Sequence, residues 1–223
     1  GRPITGSVAA GEHTVYLEDL RVAPGDFVTY HARARDVGRG RRSTEARSDI
    51  FFLEVKPYEE EFTASESQAM GGMQGEQTGL EDLIAQQKDI IVATWKLDAR
   101  ARRARDARSE GDIRAVANAQ TGVKEKAEEI AGDLAAAAFA QQRRRRGAQP
   151  GLTRAGNDDP IAKAVEAMGR AVTELNRLNT AQSLPFEEDA LGHLLKAQAE
   201  IRRRQVAMQQ ARGGGGNGNR QSL

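Results

Sequence analysis

The chain contains no cysteine, which excludes a disulfide scaffold, a thiolate metal site and a cysteine nucleophile. Aromatic residues make up only 4% of it, with a single tryptophan, so a large aromatic-rich core is excluded as well. No run approaches the roughly 18 apolar residues that a membrane-spanning helix needs. Charge of neither sign is in excess: 33 basic residues stand against 32 acidic ones, and no global field pulls the molecule toward nucleic acid or anionic lipid. The opening Gly1-Arg2-Pro3 carries neither an initiating methionine nor a signal-peptide pattern; the expectation is a piece of a longer protein.

Groupings that carry chemistry are also missing. His13, His31 and His193 are isolated in sequence, without the paired spacing of a metal-binding helix, and read as surface or boundary residues. Glu59, Glu60 and Glu61 are consecutive, so they do not converge on one ion as spaced ligands do. The glycine-rich stretch 71–75 lacks the lysine of a phosphate-binding loop and reads as a linker. Serines and threonines fall mostly at helix starts, with no Gly-x-Ser-x-Gly elbow. No catalytic residue, metal or cofactor is therefore expected, and the chain reads as a non-enzyme.

What the sequence does contain is helical periodicity. Over 80–108, Leu83, Ile90 and Leu97 recur every seven residues, with Leu80, Gln87, Thr94 and Ala101 in the companion positions. Ile84 and Ile91 widen this stripe into a face that needs a cover. Thr78 and Glu81 have capping-box spacing. Trp95 is expected to be a core anchor. A second pattern starts at Ser109 with the stripe Ile113, Val116, Val123, Ile130 and Leu134, and with Gln120 and Ala127 between them. Asp159-Pro160 is a helix start, an N-capping acid followed by proline. Ile161, Val165, Met168, Val172, Leu175 and Leu178 form the third stripe. Leu184-Pro185 predicts a break, after which Glu187, Glu188 and Asp189 place negative charge at the start of a fourth helix. Leu191, Leu194, Leu195, Ile201 and Met208 face inward on that helix. Short connections make neighbouring helices antiparallel.

The first fifty-odd residues follow a different period. Alternation predicts strands at about 13–20, 27–35 and 48–55, with a Pro24-Gly25-Asp26 turn after the first and Pro57 ending the last. The third is apolar on both faces in its middle, as a buried strand is. The order of these parts, with APGD at 23–26, VTYHARARD at 28–36 and SDIFFLEV at 48–55, resembles the last three strands of an immunoglobulin-like or fibronectin-type sandwich.

The predicted organisation is a partial β module over 1–57, a flexible acidic and glycine-rich linker over 58–79, and a helical hairpin over 80–146. A linker over 147–158, a second helical hairpin over 159–212 and a disordered tail over 213–223 complete it. The fold class expected is mainly α with a small N-terminal β segment.

Arginine clusters are the one candidate surface: Arg100, Arg102, Arg103 and Arg105 at the end of the first helical pattern, and Arg143, Arg144, Arg145 and Arg146 at the end of the second. They could contact phosphates. Equally, they suit the C-terminal ends of helices, and no aromatic residues are interleaved with them to stack bases.

As a whole the chain is similar to a group of large bacterial envelope proteins, through APGDFVTYHARARD, ARSDIFFLEVKPYEEEF, QKDIIVATWKLDARAR and ALGHLLKAQAEIRRRQ. In that group, membrane-anchored regions and immunoglobulin-like modules precede a helical, coiled-coil-like part rich in glutamine and arginine. The resemblance implies an envelope setting on the periplasmic side of the inner membrane, with membrane contact only through upstream segments, and it transfers no activity. The function expected is a structural or protein-interaction module that binds other chains or itself. The alternative is nucleic-acid or anionic-surface binding through the arginine-rich helix ends.

Overall fold

The computed structural model describes residues 11–35, 45–56, 74–102, 107–144 and 159–213. The chain is mainly helical, with helices α1 (Gln74–Ala101), α2 (Ala107–Arg144), α3 (Pro160–Asn176) and α4 (Thr180–Gly213). Four short strands precede them: β1 (Phe27–Tyr30), β2 (Arg33–Arg35), β3 (Glu45–Arg47) and β4 (Phe51–Glu54). The expected linker at 147–158 lies outside the described residues, as do the glycine-rich 71–73 and residues 214–223 of the tail.

The helices form a ring in which α1 packs on α2, α2 on α3, α3 on α4 and α4 on α1. Neighbours run antiparallel. Arg100 meets Asp112 at one end of the α1–α2 pair, and Lys126 meets Gln86 toward the other. The apolar stripes fill the centre of the ring. Leu83, Leu97, Ile91, Ile113, Val123, Ile161, Met168, Leu175, Leu191 and Leu194 are all buried. The two hairpins predicted separately thus share one core, which satisfies all four stripes at once.

Two helix starts differ from expectation. The first helix begins at Gln74 rather than after Thr78, and the second at Ala107, before Ser109. The α3 start matches its signal: Asp159 Oδ1 accepts from Ile161 N at 3.0 Å, and Pro160 occupies the first helical position.

The predicted break at Pro185 is corrected. Pro185 lies inside α4, and the chain reverses earlier, between Asn176 and Thr180. There Leu178 takes a left-handed φ of 62°. Asn179 N donates to Glu174 O at 2.9 Å and Leu178 N to Leu175 O at 2.9 Å, the two bonds of a Schellman ending. Asn179 O then accepts from Gln182 N and Ser183 N, which opens α4. Proline is tolerated in α4 because it lies in the second turn on the outer face. Ala181, whose carbonyl it leaves without a helical donor, is exposed to solvent.

The β region also departs from the prediction. Residues 13–20 do not form a strand; Leu17–Leu20 is a 3-10 turn. The expected strand 27–35 is divided into β1 and β2, and the partner strand starts at Glu45, within the expected loop. The strands pair as two small antiparallel sheets, β1 with β4 and β2 with β3. Tyr30 pairs with Phe51 and Arg33 with Arg47, so residues 31–32 lie opposite residues 48–50. The extra residue on the second strand bends the long hairpin between the sheets, as a β-bulge does. Ser48 bridges the bend, its N donating to Ala32 O at 2.9 Å and its Oγ accepting from Ala32 N at 2.8 Å. A tight turn precedes β1: Asp26 N donates to Ala23 O at 2.9 Å, and Gly25 has φ +95°. That is the glycine a type II turn requires.

The hairpin lies across α1 and α4. Phe27 and Phe52 pack against the bundle core and Ile50 is buried in it. Phe27 reaches Gly192 of α4 so closely that a Cβ there would meet its ring at 3.3 Å. Trp95 of α1 donates from Nε1 to Ser48 O at 3.0 Å. His31 lies 4.5 Å from the Trp95 ring and the Arg47 guanidinium 5.7 Å from it. Ion pairs of Lys88 with Glu54 and of Lys96 with Asp49 add to this seat.

Candidate functional site

Polar residues at interior positions of the bundle form a connected line along about two turns of it. Gln87 and Thr94 of α1, Gln120 of α2, and Ser183 and Glu187 of α4 are all fully buried. The two glutamines form a reciprocal amide pair, with Gln87 Nε2 donating to Gln120 Oε1 at 3.1 Å and Gln120 Nε2 to Gln87 Oε1 at 2.8 Å. Gln87 Nε2 also donates to the backbone carbonyl of Glu187 at 3.2 Å. Thr94 Oγ1 donates to Glu187 Oε1 at 2.9 Å, and Ser183 Oγ donates to the same oxygen. Glu187 Oε2 has no hydrogen-bond partner among the described residues. Burial, opposed by these two hydroxyl donors and reinforced by the Glu188 charge, pushes the Glu187 carboxyl up to about 7.

Toward one end of the bundle a second buried carboxylate continues the polar line. Asp98 Oδ1 accepts from Thr180 Oγ1 at 3.2 Å, and Asp98 Oδ2 accepts from Arg102 Nε at 2.9 Å. Two surface grooves border α4. One, beside β4, is lined by Gly25, Glu54, Leu195 and Arg202. The other, of about 400 Å³, is lined by Lys163, His193, Lys196 and Arg203. Neither is lined by a member of the Glu187 cluster, and Glu187 itself is fully buried, so this carboxyl is shielded from solutes.

The hairpin presents a surface of another kind. Phe27, Thr29, Phe52 and Glu54 alternate toward the bundle, and Thr29 hydrogen-bonds Glu188 of α4. Burial pushes the Glu188 carboxyl up, and that bond opposes the shift. The opposite face carries Val28, Tyr30, Phe51 and Leu53. Tyr30, Phe51 and Leu53 are 55%, 48% and 43% exposed, and the rings of Tyr30 and Phe51 stack with centroids 5.4 Å apart. This is an apolar sheet face turned to solvent, and β1 and β4 each pair on one edge only among the described residues.

Of the arginines singled out in the sequence, Arg100 and Arg102 have described side chains. Arg100 pairs with Asp112 at 3.2 Å and Arg102 with Asp98 at 2.9 Å. Arg143 and Arg144 close α2, while Arg103, Arg105, Arg145 and Arg146 lie outside the described residues. His193 lies 3.5 Å from Asp189, and burial, with Lys196 and Lys163 nearby, holds its imidazole below the usual range against the pull of Asp189. Among the described residues no group of histidine, aspartate and glutamate is arranged to hold a metal ion. None of the described helices is long and apolar enough to cross a membrane.

No family model, no curated protein and no solved structure matches the chain. The physical arrangement is therefore the basis of the functional reading.

The sequence offered two signals for these sites. Gln87, Thr94 and Gln120 are polar residues at positions that the heptad spacing places inside, which marks a polar layer in a bundle. Strand β4 is apolar on both faces, one face more than the bundle covers.

Proposed function

We propose that the protein is a non-enzymatic structural and interaction module, in which the helical bundle holds a β hairpin whose outer face seats another protein chain. The observation that carries this reading is the exposed Tyr30, Phe51 and Leu53 on a sheet face. Such faces are covered in stable assemblies, and exposed apolar patches mark interaction sites. The occupant we favour is a β-structured surface of another protein, because β1 and β4 each have an edge that pairs with no strand among the described residues. The β1–β4 ladder then takes the place of the closing strands of an immunoglobulin-like sandwich, with the facing sheet supplied by the partner. Arg100 and Arg102 are engaged by carboxylates, which favours this reading over nucleic-acid binding. The setting proposed, on the sequence resemblance, is the bacterial cell envelope.

Light scattering on the purified chain, combined with crosslinking in cells, tests the reading. Association is expected, and Phe51→Glu should abolish it while leaving the thermal melt of the bundle unchanged. Monomeric behaviour with no crosslinked partner, or association indifferent to Phe51→Glu, would overturn it.

A further inference from the structure

We propose that Glu187 is a proton-operated latch of the bundle: neutral, it allows α4 to close on α1 and α2, and ionised, it loosens that closure and the hairpin seat that α4 carries. Geometry is the basis. Glu187 is fully buried between helices, and the groups that face it are neutral. From α1 these are Gln87 and Thr94, from α2 Gln120 through its pair with Gln87, and from α4 itself Ser183.

No cation faces it. On α1, Lys88 is drawn to Glu54 of the hairpin and Lys96 to Asp49. Asp98 of the same helix is held by Thr180 and Arg102. On α3, Arg170 pairs with Glu166 at the surface, and Glu174 is engaged by Arg177 and Asn179. The charge that acts on Glu187 is that of Glu188, of like sign. Glu188 is also the residue through which α4 meets Thr29 of β1. A negative charge at position 187 would thus be desolvated, without a counter-ion and beside another carboxylate, which is the costly way to bury a charge.

Both hydroxyl donors converge on Oε1, leaving Oε2 without a partner. This asymmetry suits a neutral carboxylic acid, with Oε1 as the carbonyl oxygen and the proton on Oε2. The sign of the linkage follows. The folded chain holds the proton up to about pH 7, whereas the unfolded chain releases it near the ordinary value of 4.5. The contribution to stability is full below 4.5, falls as pH rises toward 7, and is constant above that. Glutamate at a core position would then make the bundle weaker at neutral to alkaline pH than in mild acid.

The test is denaturant unfolding of the whole chain and of Glu187→Gln between pH 4 and 8. Glutamine keeps the shape and the acceptor oxygen but cannot ionise. Relative to Glu187→Gln, the wild-type unfolding constant should rise by up to about tenfold per pH unit within the window and level off above it. A pH profile that Glu187→Gln leaves unchanged would overturn the proposal. Should that variant not fold, carboxyl-carbon NMR titration of the wild type and Ser183→Ala decides. A Glu187 midpoint near 7 that rises in Ser183→Ala supports the latch, and a midpoint near 4.5 in the wild type overturns it.

Discussion

Gln87 of α1 and Gln120 of α2 bind each other through both ends of their amides, at 3.1 and 2.8 Å, inside the bundle. Neither side chain touches solvent, so the Gln120 amide depends on Gln87 for its hydrogen bonds, while Gln87 Nε2 also donates to the Glu187 carbonyl and its Oε1 depends on Gln120. Removing one partner leaves the other unsatisfied. Gln87→Leu and Gln120→Leu should each destabilise by about 1–3 kcal/mol, whereas the double substitution should cost less than the sum. A double-mutant cycle by urea unfolding reads the coupling directly. Additive effects would show that the pair is not a unit.

The α1 stripe predicts the largest single loss. Leu83, Ile90 and Leu97 are 1%, 6% and 5% exposed. Ile90→Asp places an unpaired charge among them, and a destabilisation of several kcal/mol is expected. The mid-point of thermal unfolding followed by circular dichroism checks it.

At the start of α3, Asp159 accepts from Ile161 N at 3.0 Å. Asp159→Ala should cost about 1 kcal/mol, the usual worth of an N-cap. Asp159→Asn should be nearly neutral, since it keeps the acceptor. Denaturant midpoints at fixed slope separate the two variants.

Trp95 reports on the seat of the hairpin because its indole bonds the Ser48 carbonyl and lies against His31. Trp95→Phe removes that bond and should loosen the bend of the hairpin by about 1 kcal/mol while leaving the bundle folded. Faster hydrogen exchange at the Ala32 and Ser48 amides, with the helix amides unchanged, is the expected signature.

The helical stripes were legible because each of the four repeats apolar residues at helical spacing, and Asp159-Pro160 marked its helix start without ambiguity. The reversal at 177–179 was not legible. Leu178 occupies the left-handed position where glycine is usual, so no glycine marks it, while Pro185 offered a false break six residues beyond Asn179. A break at Pro185 makes Glu187 one of three acids at a helix start, whereas it lies inside α4, buried. Strand 13–20 failed for a related reason: alternation of Val15 and Leu17 is the pattern of a half-buried strand, yet no neighbouring strand pairs with it among the described residues. The apolar outer face of β4 was legible as a surplus of hydrophobic residues, but its exposure emerged only when the register fixed which residues face the bundle.

The interaction role of the hairpin is tested most directly by site-specific photocrosslinking in cells. A photoreactive phenylalanine analogue is placed at position 51 or 53, on the outer sheet face, and at the exposed Glu125 of α2 as a control. Adducts should form from positions 51 and 53 and not from 125, with the crosslinked peptide of the partner, identified by mass spectrometry, lying in a β-strand. No adduct from the sheet face, or equal capture from position 125, would contradict a partner seated on the hairpin.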